Sequence, residues 1–376
     1  MFEDKFFRHI NQPVRNYLLR CGADESGRAG DTDTLHRQER QDAGDQPLSR
    51  AQAIRQAARA YADSTLSQGL GYFPNLDEPQ RFSEKVLWLS IYYRNPKIAE
   101  AVDKSRIGEW TRALTGRSYA VPVLSTYREA ADVDPSKLPR RFVLKQNGSA
   151  EGRCVMLVSD SRRLDWDRVR TVLSSWLYSW SSHGYAYPGI TDEVVKPCLI
   201  AEQYLTDGNG SGLTGMGLPV PTEYRFFCGN GEPLFAQILM ERGTAREWAC
   251  FVRPDWTVLP FTYRNADGQV RASGKPDYAS QGGRTNRINR IGRGTQVDQI
   301  NRSGRPAPKP DHLDEMLRVS RALSAGFPLM RVDFYEAGGR IYVGGTSTCP
   351  GLGRGFTSME WEQRLGEQLV LPEVSL

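Results

Sequence analysis

The chain has 376 residues, 39% of them hydrophobic, and a formal charge of +5, enough to bury a large core spread over two or three lobes. Six cysteines (Cys21, Cys154, Cys198, Cys228, Cys250, Cys349) stand far apart, with no Cys-x-x-Cys pair and only four histidines beside them; this argues against a zinc cluster or a disulfide scaffold and fits a reducing compartment. No run of about 18 apolar residues occurs, and the first residues lack the short apolar block of a signal peptide, so a cytoplasmic location is expected.

Residues 1–20 carry Phe2, Phe6, Ile10 and Val14 at four-residue spacing, with Arg8, Arg15 and Arg20 among them and Pro13 interrupting. This pattern suggests a short amphipathic helix that packs on its own domain or touches a membrane surface or an envelope-assembly partner. Residues 21–50 are polar, Gly-rich and unpatterned, as in a disordered linker. A helical entry region is expected over residues 51–140: Ala-rich at first, then Phe82 and Val86-Leu87-Trp88-Leu89, then Ile98 to Trp110. The period changes at Arg141. Phe142 to Lys145 and Cys154 to Val158 flank a Gly-containing turn, the shape of a hairpin. A helix follows from Asp165 as N-cap, with Trp166, Val169, Val172, Trp176 and Trp180 on one core-facing side.

Next come a strand over Cys198 to Leu205, a Gly-rich loop from Asp207 to Gly217, and a hairpin, Tyr224 to Cys228 and Pro233 to Met240, turning on Gly229-Asn230-Gly231. From Arg264 to Lys309 there are ten Lys/Arg against three Asp/Glu, among many Gly and Asn and few aromatics. A flexible basic insertion at 265–309 is expected, either a solvated loop or a segment that binds RNA or another polyanion; nucleic acid is not the expected partner. A capped helix from Asp311 to about Ala325, a hairpin turning on Gly338-Gly339 and a Gly-rich segment from Gly344 to Gly355 complete the pattern. The fold class is antiparallel-leaning α+β. The strands lack the regular following helix of a doubly wound sheet.

Charges inside these strands point to chemistry. Arg225, Arg331 and Asp333 fall mid-strand, where a charge is costly unless paired or coordinated, so they suggest a polar site on a sheet floor. Lys145 ends an apolar strand just before Gln146-Asn147-Gly148-Ser149, a loop whose backbone N–H groups can approach an anion. It is not a Walker A loop, since no Gly-Lys-Ser/Thr follows. Glu202, in Leu199 to Leu205, either faces solvent or accepts from a ligand's ribose or base. Arg225 and Arg242 are candidates to stabilise a phosphoryl group, and Asp333 is a candidate ligand for a hard cation such as magnesium. His183 and His312 have no partner in the pattern.

The order of these pieces resembles the ATP-grasp superfamily, specifically its teichuronopeptide-biosynthesis (TupA-like) branch, from about Arg81 to Trp361. The matching stretches are Phe82-Ser-Glu-Lys-Val-Leu-Trp-Leu, Val102-Asp-Lys, Leu138-Pro-Arg-Arg-Phe-Val-Leu-Lys-Gln-Asn-Gly-Ser, Ile200-Ala-Glu-Gln-Tyr-Leu, Glu223-Tyr-Arg-Phe-Phe-Cys-Gly-Asn-Gly-Glu-Pro, Arg253-Pro-Asp-Trp, Arg331-Val-Asp-Phe-Tyr and Pro350-Gly-Leu-Gly. The resemblance implies an ATP-grasp fold in which two α+β lobes, 141–205 and 206–376, clamp ATP behind an N-terminal helical region. It implies Lys104 and Lys145 near the ATP phosphates, Asn147, Gly148 and Ser149 as the loop over them, and Glu202, Tyr204 and Leu205 at the adenine and ribose. Arg225 and Arg242 then lie near the γ-phosphate, Arg331 joins them as a catalytic candidate, and Asp333 is a magnesium ligand. The implied activity is ATP-dependent carboxylate–amine ligation through an acyl phosphate, joining an amino acid or similar group to a sugar or cell-envelope polysaccharide precursor. Two departures stand out. The family's Gly-Glu-Leu-Thr, whose glutamate is the second magnesium ligand, reads Gly344-Gly345-Thr346-Ser347 here, and its His-Gly-Ser-Gly loop reads Gly148-Ser149-Ala150-Glu151, with a negative charge close to where phosphate should sit. They raise the alternative of a degenerate member that binds nucleotide or glycan without ligating.

Overall fold

The computed structural model describes Gln56, Ala60 and residues 67–148, 154–178, 195–206, 220–240, 242, 248–264, 307–351 and 354–373. The expected N-terminal helix and linker, the loop residues Ser149 and Glu151, Trp180, His183, the Gly-rich loop 207–217 and nearly all of the basic insertion lie outside the described residues. Among the described residues no helix is long and apolar enough to cross a membrane, and Cys198, Cys228, Cys250 and Cys349 are free thiols.

After a single helical turn at Ser67–Leu70, three helices follow: α1 (Phe82–Tyr92), α2 (Lys97–Val102) and α3 (Ile107–Thr115). On α1 the i, i+4, i+7 positions Phe82, Val86 and Leu89 form a buried stripe. Helix α3 stops at Gly116, whose φ of 82° is a left-handed conformation that glycine enters without strain. The helical pattern expected through residue 140 is cut short, because Val123–Tyr127 forms strand β1. Its alternation is weak for a physical reason: it is an edge strand, and Val123 and Leu124 are both exposed, so no buried face imposes a period on it.

Two antiparallel sheets carry the rest. The smaller contains β1, β2 (Phe142–Gln146), β3 (Val155–Val158) and β4 (Leu199–Gln203) in the order β1-β4-β2-β3. Phe142, Leu144, Leu199 and Ala201 point to one side and pack under helix α4 (Trp166–Tyr178) through Val169, Leu173 and Trp176. Asp165 caps α4 by accepting from the Arg168 N–H at 3.3 Å. The alternation of β2 and β4 sends Lys145 and Glu202 to the opposite side.

The larger sheet has six strands in the order β10-β9-β5-β6-β7-β8: β5 (Glu223–Gly229), β6 (Glu232–Met240), β7 (Trp248–Val252), β8 (Val258–Leu259), β9 (Leu329–Ala337) and β10 (Arg340–Ser347). Tyr224, Phe226, Cys228, Ile238, Met330, Val332 and Phe334 line one face, closed by Met316, Val319 and Leu323 of helix α5 (Leu313–Ser324). The opposite face is divided. Phe227, Phe235 and Phe251 pack with Phe82, Phe261, Phe356 and Trp361 in an aromatic cluster under α1 and helix α6 (Met359–Glu367), with Phe227 and Phe235 stacked at 4.4 Å. Further along the same strands that face turns polar at Glu223, Arg225, Arg331 and Asp333.

The aromatic lobe is clasped by a carboxylate. Glu362 on α6 is fully buried, accepts from the Ser83 N–H at 2.9 Å and the Ser83 hydroxyl at 2.8 Å on α1, and also accepts from the Phe356 N–H. Burial pushes its carboxyl up while these donors pull it down, and burial prevails. All three contacts are donors, so Glu362→Gln would turn an amide N–H₂ against a donor and leave it unsatisfied. A loss of about 2 kcal/mol is expected, read as a lower urea midpoint with unchanged slope.

Candidate functional site

The polar half of the large sheet faces the Lys145 side of the small one. Pairing places Arg225 opposite Asp333, and Asp333 opposite Gly345, so the three form a row across β5, β9 and β10. Arg331 lies two residues before Asp333 on the same face and clamps it with two bonds, Nε to Oδ1 at 2.6 Å and Nη2 to Oδ2 at 2.7 Å. Asp333 overcomes the burial that would lower the Arg331 guanidinium's pKa, leaving it above the ordinary arginine value. In the next row Glu223 sits between two arginines. Its Oε1 lies 3.1 Å from Arg225 Nε and its Oε2 accepts from Arg225 Nη2 at 3.1 Å and from Arg242 Nη1. Burial disfavours its charge, but Arg225 and Arg242 win and hold the carboxyl down at about 2.

The small sheet supplies a second charged pair, Lys145 Nζ to Glu202 Oε1 at 2.7 Å, each side chain less than a tenth exposed. Lys145 also reaches across to the large sheet, donating to the Gly344 carbonyl at 3.4 Å. Lys104, in the turn between α2 and α3, completes the group. Burial lowers its pKa to about 7, the Lys145 charge adds to the effect, and Asp333 and Glu202 work against it. Lys104, Lys145, Arg225, Arg242 and Arg331 thus surround Glu202, Glu223 and Asp333, a cationic excess suited to an anion.

Asn147 is fully buried at the end of β2. Its Oδ1 accepts from the Cys198 N–H at 3.0 Å, its Nδ2 donates to Asp103 Oδ1 at 3.1 Å and to the Lys196 carbonyl at 3.2 Å, and its carbonyl accepts from the Lys104 N–H at 3.2 Å. These bonds tie the Lys104 turn to the small sheet, so Asn147 positions Lys104. Gly148 follows it, also buried. Tyr204 and Leu205 continue past β4, half-buried, with Leu205 against Val121, Ala337 and Tyr342.

A family model described as TupA-like ATPgrasp matches residues 84–281 and 285–370. The chain belongs to the TupA-like ATP-grasp family. No curated protein matches it. Among solved structures it is similar to N5-carboxyaminoimidazole synthetase from Staphylococcus aureus complexed with ADP, at 12% identity and a TM-score of 0.35 over 78% of this chain and 51% of that one. It is also similar to D-alanine–D-alanine ligase from Bacillus anthracis complexed with ATP, at 16% identity and a TM-score of 0.32 over 67% and 55%. A third, D-cycloserine synthetase, matches at 12% identity and a TM-score of 0.35 over 73% and 72%. The chain spans about half the length of the first two.

The TupA-like ATP-grasp family implies magnesium, and the residues present do not fit that ion. Asp333 is the carboxylate at the expected place, but both its oxygens are taken by Arg331. Across the strand pair stands Gly345, which offers no ligand. A Cβ built there would meet Lys104 Cε at 3.3 Å, so an ammonium stem borders the space a glutamate would fill. Among the described residues no three His, Cys, Asp or Glu converge as a metal site. The preceding glycine has a different cause: a Cβ at Gly344 would lie 2.5 Å from Tyr335 Cε2, and the strand register shifts between Val343 and Gly345.

Glu223 is the central residue that carried little sequence signal. It opens the matched Glu-Tyr-Arg stretch, and only the period of two, which puts it on the Arg225 face, marks it as a partner for that charge.

Proposed function

We propose that this protein binds ATP on the polar floor between its two sheets and uses it for carboxylate–amine ligation. In that reaction a carboxylate oxygen attacks the γ-phosphorus and ADP departs with the electron pair of the broken bond. An amine nitrogen then attacks the acyl carbon, expels inorganic phosphate and gives up a proton. The acid is an amino acid or similar group and the amine belongs to a sugar or cell-envelope polysaccharide precursor, in the cytoplasm where ATP is supplied. The observation that carries the reading is the convergence of Lys104 and the Lys145–Glu202 pair with Arg225, Arg242 and Arg331, which come from different elements of the chain. Cations in a partly water-excluded site are what an acyl phosphate and its precursor require. Lys145, Arg225 and Arg331 are the groups proposed to face phosphate, Arg242 supports Arg225 through Glu223, and Glu202, Tyr204 and Leu205 are proposed to meet the nucleoside.

The pairing of Asp333 with Arg331 and the glycine at 345 favour a second reading, nucleotide or glycan binding without ligation. The two separate in one assay. The full chain is incubated with ATP, amino acids and amino sugars or their nucleotide-linked forms, and ADP and phosphate are followed with the amide product by mass spectrometry. Ligation predicts ADP release that needs both co-substrates, with one amide formed per ADP. Binding of ATP without such turnover selects the second reading.

A further inference from the structure

We propose that the site binds the nucleotide's polyphosphate through direct contact with protein cations and without a divalent metal, Lys104 and Arg331 neutralising the charge that a bridging ion would carry. The inference rests on the nucleotide-binding reading and adds to it the means of charge compensation. Three observations carry it. Asp333 gives both oxygens to the Arg331 guanidinium in a bidentate pair, an arrangement a divalent cation would have to break. Gly345 places no carboxylate opposite Asp333, and the Lys104 side chain runs alongside, with Cε 3.3 Å from the position of an added Cβ. The surrounding charge is already positive: Lys104, Lys145, Arg225, Arg242 and Arg331 stand against Glu202, Glu223 and Asp333. A polyphosphate brings several negative charges that this excess can offset, whereas a divalent cation entering the same space would meet the ammonium and guanidinium groups at close range.

The test is equilibrium titration of ADP and of ATP into the full chain, once in EDTA and once in excess Mg²⁺. Affinity in EDTA that stays within about fivefold of that in Mg²⁺ is expected. A larger loss in EDTA overturns the proposal while leaving nucleotide binding intact, and absence of binding in both conditions removes the nucleotide reading and this inference together. Two variants sharpen the result. Gly345→Glu puts a carboxylate beside Lys104 and Asp333 and is expected to weaken binding in EDTA by about tenfold or more, with recovery in Mg²⁺. Gly345→Gln, of the same size and no charge, is expected to keep the metal-independent behaviour. Equal affinities of the two variants in EDTA, whether both are weakened or neither is, overturn the proposal.

Discussion

Replacing Glu223 with glutamine is expected to lower the stability of the folded protein by about 3 to 5 kcal/mol, the range for removing one partner of a buried ion pair. The size follows from what is left behind. Arg225 and Arg242 both lean on this carboxylate, which is almost wholly shielded from water, and neither guanidinium can shed its charge. The carboxyl is held at about 2 against an ordinary value of 4.5, so its contribution is fully present above pH 4.5 and is lost as the pH falls through 2. The wild type should therefore lose stability across that acid window, and the Glu223→Gln variant should show a flatter profile there. Urea denaturation at a series of pH values reads both quantities. Coincident acid profiles would mean that Glu223 is not the group that gives the wild type its slope.

Replacing Lys145 with methionine is expected to remove measurable ATP binding, a loss of about 2 to 5 kcal/mol or thirtyfold and upward. Methionine keeps the length of the stem and removes the charge, so the packing of β2 is preserved as far as a substitution allows. Two effects add. The cation proposed to face phosphate is gone, and Glu202, formerly paired at 2.7 Å, becomes an unpaired buried carboxylate that repels the ligand. The double variant Lys145→Met/Glu202→Gln separates them. Partial recovery of affinity measures the repulsion, and the remaining deficit measures what the ammonium contributes. Unchanged ATP affinity in Lys145→Met would place the phosphates elsewhere.

The chemistry of this site was legible in the sequence to the extent that it lies in strands with one strict alternation. Arg225, Arg331 and Asp333 stand as charges among Phe226, Phe227, Val332 and Phe334, and a half-buried strand carries such charges only where they find partners. The partners themselves were not legible. Pairing Arg331 with Asp333 rather than with a ligand depends on two rotamers of neighbouring same-face residues, and the Glu223 clamp needs Arg242, which lies beyond the end of β6. Asn147 shows the same limit from another side. Next to a glycine it has the signature of a loop over phosphate, yet its side chain is used up in joining β2, the Asp103 turn and the entry to β4. Strand β1 escaped notice because an exposed edge imposes no apolar period. Helix α4, whose apolar face is closed by a sheet, was marked by its own periodicity, whereas α5 was marked by an expected cap at Asp311, and it begins instead after His312 with no side-chain cap.

The Glu362 clasp has a consequence for the order in which the chain assembles. Ser83 is separated from its carboxylate by 279 residues, Lys85 donates to the carbonyls of Gly366 and Leu369 across similar spans, and Thr346 donates to the carbonyl of Ala101 across 245. Helices α1 and α2 therefore reach their final partners only after residues 340–369 have been synthesised. Until then the apolar stripe of Phe82, Val86 and Leu89 lacks the α6 surface it packs against. Contacts of such separation make for slow folding and a long-lived exposed apolar face, so helices α1 and α2, early among the described elements in chain order, wait for the end of the described chain before they are secured.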